Sequence, residues 1–377
     1  MELAFRNARV ATPEADFIGS VLVRDGLIVA IDEGGCATGE DLEGDVLMPG
    51  VVDLHTDSLE KHYFPRPNIG WNPVSAAVTH DGCCLSVGVT TILNSLTLGS
   101  FNPSAARSTD NLTRLVDGLA EAQAGGLLRA DHRFHWRCET TADDLRDRLE
   151  GLADHRLTAM FSLMDHTPGQ RQYKNLEKHL AGWQAGGMTE AAALERLAQV
   201  RERQARNADA NRRHVAALAT ARGTPLASHD DETAAHIDEA ADLGARVAEF
   251  PVTAEAAQQA RDRGMVVVMG GPNLIRGGSY SGNVPAADLA EAGLLDAFAS
   301  DYVPRSLVEC AFAMTEAPFG WSLSRAVALV TSAPARAAEL QDRGEIAPGQ
   351  RADLLRIRRQ GGLPLVRGVW TAGRRAA

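Results

Sequence analysis

Eight short apolar runs recur between residues 45 and 302, and stretches rich in Ala, Leu, Glu and Arg separate them. The runs are DVLMPGVVDLH (45–55), GVTTILNSL (88–96), HRFHWRCE (132–139), LTAMFSLMDH (157–166), TPLASHD (224–230), ARVAEFPV (245–252), GMVVVMGGP (264–272) and DAFASDY (296–302). Near-continuous apolar strands alternating with helices are the pattern of a parallel sheet covered on its faces. Eight repeats favour closure into a (β/α)8 TIM-like barrel, and 377 residues suit such a barrel with additions. A nucleotide-binding open sheet is disfavoured, because neither G-x-G-x-x-G nor a Walker A sequence occurs.

The two ends read differently. VLVRDGLIVAID (21–32) is β-branched around Asp25-Gly26, a hairpin signal. GEIAPGQRADLLRIRR (344–359) and LPLVRGVWTAG (363–373) are strand-like pieces broken by turns. Residues 1–47 and 344–377 are therefore expected to form one small β-sandwich domain, with the barrel domain at 48–343. The segment 174–222 is a helical insertion, one or two long helices with a break at Gly186-Gly187. Its ordinary reading is a solvated helical hairpin; a lid over the site is the sharper one.

A net charge of −11 argues against nucleic acid or an anionic membrane as partner. An anionic substrate would then need local positive charge. The first ten residues read as no secretory leader, and no apolar run is long enough to span a bilayer. Five cysteines without C-x-x-C spacing read as reduced, mostly buried thiols, so a cytoplasmic protein is expected.

Five runs end in side chains that can ligate a metal. They are His55-Thr56-Asp57, Glu139, Asp165-His166, His229-Asp230-Asp231 and Asp301. Residues two apart on a strand share a face, so His55 and Asp57 can reach one ion together. Strand ends of a barrel converge where its active sites lie. A single histidine there is more often a hydrogen-bonded or surface residue, and Glu139 or Asp301 could cap a helix. Their joint placement points to a divalent metal, one or two ions, zinc first and manganese or iron next. Metal coordination lowers the pKa of water towards ~7, which suits hydrolysis at neutral pH.

The stretches MPGVVDLHTD (48–57), GVTT (88–91), the late Asp301 and IAPGQRADLL (346–355) resemble the amidohydrolase superfamily. Asp57 stands where its usual His-x-His has a second histidine, which resembles the branch of phosphonate-utilisation enzymes that remove pyrophosphate from a ribose phosphonate triphosphate. LHTDSLEKHYFPRPNIGW (54–71), HDGCCLSVGVTT (80–91), FSLMDHTPGQRQY (161–173), SHDDET (228–233), MGGPNLIRGGSYSGNV (269–284) and ASDYVP (299–304) look like that branch. The resemblance implies that His55 and Asp57 hold one metal, that Glu139 bridges two, and that His166 and His229 hold the second. Asp301 would be both a ligand and the general base. This numbering puts His166 and His229 one strand earlier than the superfamily habit. Asp230 or Asp231 is the expected orienting partner of His229, with a purely structural carboxylate the commoner role. His80-Asp81 could buttress the site or serve a helix N-terminus.

A triphosphate needs donors. GGPNLIRGGSYSGN (270–283) holds five glycines beside Arg276 and Ser279, and it follows the seventh run, where phosphate sites of this fold are common. Gly277 and Gly278 would let backbone N–H groups approach an anion. Arg66, Arg171, Tyr302 and Arg305 are further candidates to contact the substrate. The expected partner is a small phosphorylated molecule, bound by a homo-oligomer. A C–N hydrolase of the same superfamily is the alternative, disfavoured by Asp57 and by the Gly/Arg loop. A metal-free structural or regulatory relative is a third reading, disfavoured by the complete ligand set.

Overall fold

The computed structural model describes residues 2–35, 37–67, 69–99, 109–279 and 281–377. Cys36 and Tyr280 lie outside the described residues. Five strands come first: β1 (Glu2–Ala11), β2 (Asp16–Arg24), β3 (Leu27–Glu33), β4 (Glu40–Asp41) and β5 (Val46–Pro49). Eight barrel strands follow: β6 (Val51–Thr56), β7 (Val89–Leu98), β8 (Asp131–Glu139), β9 (Thr158–Met164), β10 (Leu226–His229), β11 (Val247–Glu249), β12 (Val266–Gly270) and β13 (Ala297–Ala299). The chain ends with β14 (Leu354–Gln360), β15 (Leu363–Thr371) and β16 (Arg374–Arg375).

The barrel strands pair in chain order, β6 to β13, all parallel. The first and last strands meet through a parallel bridge between Thr56 and Asp301. There the Asp301 N–H donates to His55 O at 2.8 Å and the Asp57 N–H to Asp301 O at 3.0 Å. Each of the eight expected runs supplies one barrel strand. Val52, Leu54, Leu93, Met160, Val247 and Val268 fill the interior, and Ala335, Ala338 and Leu340 close it from below. A second, larger apolar layer lies between the strands and the surrounding helices.

The run 45–55 divides between two sheets. Val46–Pro49 pairs with β14, whereas Val51 onwards enters the barrel beside β7. Gly50 makes the turn, because a Cβ there would sit 2.1 Å from Thr90 Oγ1. Strands from both termini join one mixed sheet, in the order β16-β15-β14-β5-β1-β2-β3. It wraps a core of Phe5, Val10, Val23, Ile28, Leu47, Leu354 and Trp370.

The insertion forms helices Leu176–Ala185 and Glu190–Arg222, broken at Gly186-Gly187 as expected. Thr189 caps the second by accepting from the Ala192 N–H at 3.3 Å, and Gly223 ends it in the left-handed region. The 33-residue helix buries Ala193, Leu197, Val200 and Ala208, and its C-terminal part joins the apolar layer around the barrel through Val215, Ala216 and Ala219. Asn211 Nδ2 donates to the carbonyls of Thr140 and Ala142, just beyond β8. Gln204 and Arg212 both reach Asp165, just beyond β9. The helix thus braces the two strand ends that carry Glu139 and His166.

Candidate metal centre and phosphate pocket

Four imidazoles converge at the C-terminal ends of the strands: His55 on β6, His135 on β8, His166 after β9 and His229 on β10. Among the described residues two ligand-capable groups form, one of His55, His135 and Glu249, the other of His166, His229 and Asp230, with candidate ligand atoms within 4.8 Å in each. Glu249 stands between two of the rings. Its Oε1 accepts from His55 Nδ1 and its Oε2 from His229 Nδ1, each at 2.9 Å. His135 Nδ1 donates to Leu54 O at 2.8 Å, and His166 Nδ1 lies 2.5 Å from Glu139 Oε2. Each ring has its shortest acceptor contact at Nδ1, which favours the proton there and leaves Nε2 as the lone-pair atom, although His229 Nε2 also stands 3.4 Å from Asp230 Oδ2.

Burial holds His55 and His135 below the ordinary imidazole range and takes His229 down to about 3. These three rings are therefore neutral, the form that ligates metals. The carboxylates move the other way. Burial pushes Asp230 and Asp301 up to about 7, and Asp57 and Asp230 add repulsion at Asp301. His135 Nε2 and Asp57 Oδ1 are buried with no hydrogen-bond partner among the described residues. Neutral imidazole lone pairs, crowded carboxylates and orphaned acceptors together form a donor set that fits a divalent cation.

Backbone strain aims these groups. Asp230, Phe250 and Asp301 all follow strand ends with φ between 55° and 57°. Non-glycine residues rarely adopt this left-handed region, and each one costs roughly 1–3 kcal/mol. Phe250 packs edge-on against both His55 and His229.

Beside the cluster, one pocket is lined by Asp230, Phe250, Met269, Arg276, Gly278, Ser279, Asn283, Asp301 and Tyr302, among others. Arg276 Nη1 lies 3.4 Å from Tyr302 Oη, and Lys61 Nζ donates to Tyr302 O at 3.0 Å. Gly277 (φ 77°) and Gly278 (φ 136°) turn the loop through conformations that side chains rarely adopt.

Several sequence expectations change. Glu139 is fastened to His166 and to Thr141 Oγ1, and the carboxylate set between His55 and His229 is Glu249. Glu249, rather than Asp230 or Asp231, also orients His229 through Nδ1. Asp231 instead pairs with Arg171. Arg171 is buried against that carboxylate and the carbonyl of His229, so it is not on the pocket wall. Arg66 is exposed, and Arg305 pairs with Glu309 at the surface. His80 and Asp81 lie within helix Pro73–Ser86 and join a buried chain through Asn94 and His132, away from the metal cluster. Of the described cysteines, Cys84, Cys138 and Cys310 are buried and Cys83 is exposed, all free thiols. Sequence reasoning passed over His135, Glu249 and Arg137. The period-two face His135–Arg137–Glu139 was the signal available for two of them.

The Amidohydrolase family pattern matches residues 181–361. An Escherichia coli (strain K12) protein, alpha-D-ribose 1-methylphosphonate 5-triphosphate diphosphatase, is 40% identical over 99% of this chain and 100% of its own length. The chain belongs to the amidohydrolase family. Solved amidohydrolase-type structures share the fold at low identity. N-acetyl-D-glucosamine-6-phosphate deacetylase from Mycobacterium smegmatis superposes with a TM-score of 0.63 at 17% identity, covering 100% of both chains. 5-Methylcytosine deaminase from Klebsiella pneumoniae gives 0.62 at 15%, covering 100% of this chain and 98% of its own. As in other barrels, this amidohydrolase gathers its reactive side chains at the C-terminal strand ends. Among the described residues, no helix is long and apolar enough to cross a membrane.

Proposed function

We propose that this amidohydrolase cleaves α-D-ribose 1-methylphosphonate 5-triphosphate between its α and β phosphates, releasing pyrophosphate and leaving the 5-phosphate. The observation that carries this is the shared pocket. Its wall runs from Asp230 and Asp301 to Arg276, Gly278 and Ser279, so an acid–base carboxylate and a cationic, glycine-rich loop face the same space. The full-length similarity to the Escherichia coli diphosphatase supports the substrate. A cyclic-amide or N-acyl hydrolase would need no such loop.

His55, His135, His166, His229, Asp230 and Glu249 are the residues that would hold the metal, with Asp57 and Asp301 beside them. Zinc is the first choice for this imidazole and carboxylate set, and manganese or iron the next. When bound, a divalent ion supplies Lewis acidity towards phosphoryl oxygen and water. Asp301 takes the proton of the attacking water, since a carboxylate tuned to about 7 both accepts and releases protons near neutrality. The Arg276 guanidinium and the Ser279 hydroxyl hold the outer phosphates, while the Gly277 and Gly278 N–H groups are spent on the carbonyls of Leu274 and Asn273 and shape the turn. Phe250, Pro251 and Met269 exclude water from the opposite wall. Water oxygen bonds to phosphorus, the bridging P–O bond breaks, and pyrophosphate departs.

The same reading takes the enzyme as a cytoplasmic homo-oligomer. The decisive experiment follows phosphorus NMR of the purified, metal-assayed protein with the triphosphate, and with cyclic amides and N-acyl sugars as controls. Equimolar pyrophosphate and 5-phosphate are expected. Turnover of the amides alone overturns the proposal.

A further inference from the structure

The geometry points to Arg137 as an anion-binding residue of the catalytic centre, one that grips a phosphoryl oxygen of the substrate. It lies on β8 between His135 and Glu139, and alternation puts all three on the inward face. Its side chain is only 10% exposed, yet its donors are poorly matched. Nε points to the thioether of Met164 at 3.3 Å, a weak acceptor. Nη1 stands 3.7 Å from Asp57 Oδ2, beyond hydrogen-bond length. No oxygen accepts from its terminal nitrogens among the described residues.

Buried arginines are normally saturated by carboxylates or carbonyls, because leaving such donors unmatched is costly. The contrast within this site is direct: Arg171, similarly enclosed, gives its terminal Nη1 to both the Asp231 carboxylate and the His229 carbonyl, although its Nε has no partner among the described residues. The Arg137 fork is the geometry that takes two oxygens of a phosphate at once. It also faces a site crowded with carboxylates, where a polyanionic substrate needs a fixed cation beside whatever metal is present. Hydrolysis of a neutral amide makes no such demand. Arg137 stabilises charge on the phosphoryl oxygens while the water proton goes to Asp301 and the bridging oxygen leaves with pyrophosphate.

This inference deepens the phosphoanhydride reading and rests on it for its turnover arm. The test compares wild type, Arg137→Met and Arg137→Lys as metal-loaded proteins, with inorganic pyrophosphate as the calorimetric probe. Arg137→Met is expected to keep its metal content, bind pyrophosphate at least about tenfold more weakly and lose about 10²-fold in turnover, the scale of one lost oxyanion donor. Arg137→Lys recovers part of each, since it keeps the charge without the fork. Pyrophosphate affinity within about threefold of wild type in Arg137→Met overturns the proposal, being too small for a lost charge-assisted bond. So does a loss of metal in Arg137→Met that Arg137→Lys restores, which marks a mere tether for Asp57. If Arg137→Met does not fold by circular dichroism, the lysine variant decides, because intact pyrophosphate affinity there denies the fork a role. Wild-type failure to cleave the triphosphate sinks the proposed function, while the pyrophosphate arm still reads Arg137 separately.

Discussion

Glu249 Oε2 accepts a hydrogen bond from His229 Nδ1 at 2.9 Å, while its other oxygen takes His55 in the same way. One fully buried carboxylate therefore sets the tautomer of two rings on different strands. Glu249→Gln keeps the shape but can accept through only one atom, so one imidazole loses its fixed orientation. Cation affinity is expected to fall about 10–100-fold. Chelator competition measures this, and unchanged affinity would remove Glu249 from the centre.

Asp301 carries the pH response. Burial, then Asp57, raises its pKa from 3.8 to about 7. The base form is populated above that value, so kcat/KM should climb as pH rises from 6 to 8. Linkage gives the sign for stability. A carboxylate raised on folding contributes stability fully present below pH 3.8 and lost as pH rises through about 7. Asp230 behaves alike. His229, held down to about 3, does not titrate in the folded protein between pH 6 and 8. A divalent cation should thus raise Tm more at pH 8 than at pH 6, as differential scanning calorimetry would reveal. Asp301→Asn should keep metal and lose about 10²–10⁴-fold in turnover.

The eight strands were legible because each is an apolar run bounded by turn residues, and His55, His166, His229 and Asp301 because each stands at or just past a run's end. Glu249 obeys the same rule, but apolar character continues past it through Phe250 to Val252, so the strand's true end at Glu249 was hidden. His135 lies in mid-strand, where only the alternation across His135, Arg137 and Glu139 marks an inward face. The fate of Arg171 was not legible at all. Whether an arginine meets substrate or a carboxylate depends on the left-handed turn at Arg171 and on Asp231, sixty positions further on. The Gly50 turn shows the converse: a clear strand signal can span two sheets when close approach to Thr90 forces a bend.

Arg276 and Tyr302 meet at 3.4 Å on the pocket wall, which places the guanidinium among the outer phosphates in the proposed complex. Arg276→Ala should raise KM for the triphosphate by about tenfold, as one lost charge-assisted contact implies. A diphosphate analogue, lacking the terminal group, should lose much less. Steady-state kinetics on both compounds test this, and equal losses would place Arg276 elsewhere on the substrate.

Asn211 locks the long helix to the barrel. Only 4% exposed, it donates from Nδ2 to the carbonyls of Thr140 and Ala142, and its Oδ1 accepts from Arg146 Nε at 2.9 Å. Those carbonyls belong to the segment that leaves β8 immediately after Glu139, the partner of His166. Asn211→Leu keeps the heavy-atom count and branching but strands two buried carbonyls and one guanidinium N–H. Each abandoned buried group costs about 1–3 kcal/mol, so a loss of several kcal/mol and a clear fall in Tm are expected. The loss should also reach the chemistry, because a loosened β8 end frees Glu139 and lets the His166 ring turn. Cation affinity should weaken in Asn211→Leu, whereas Leu194→Ala, on an exposed turn of the same helix, should leave both quantities unchanged. A variant that loses stability but holds its cation as tightly as wild type would show that the helix braces the fold alone and not the site.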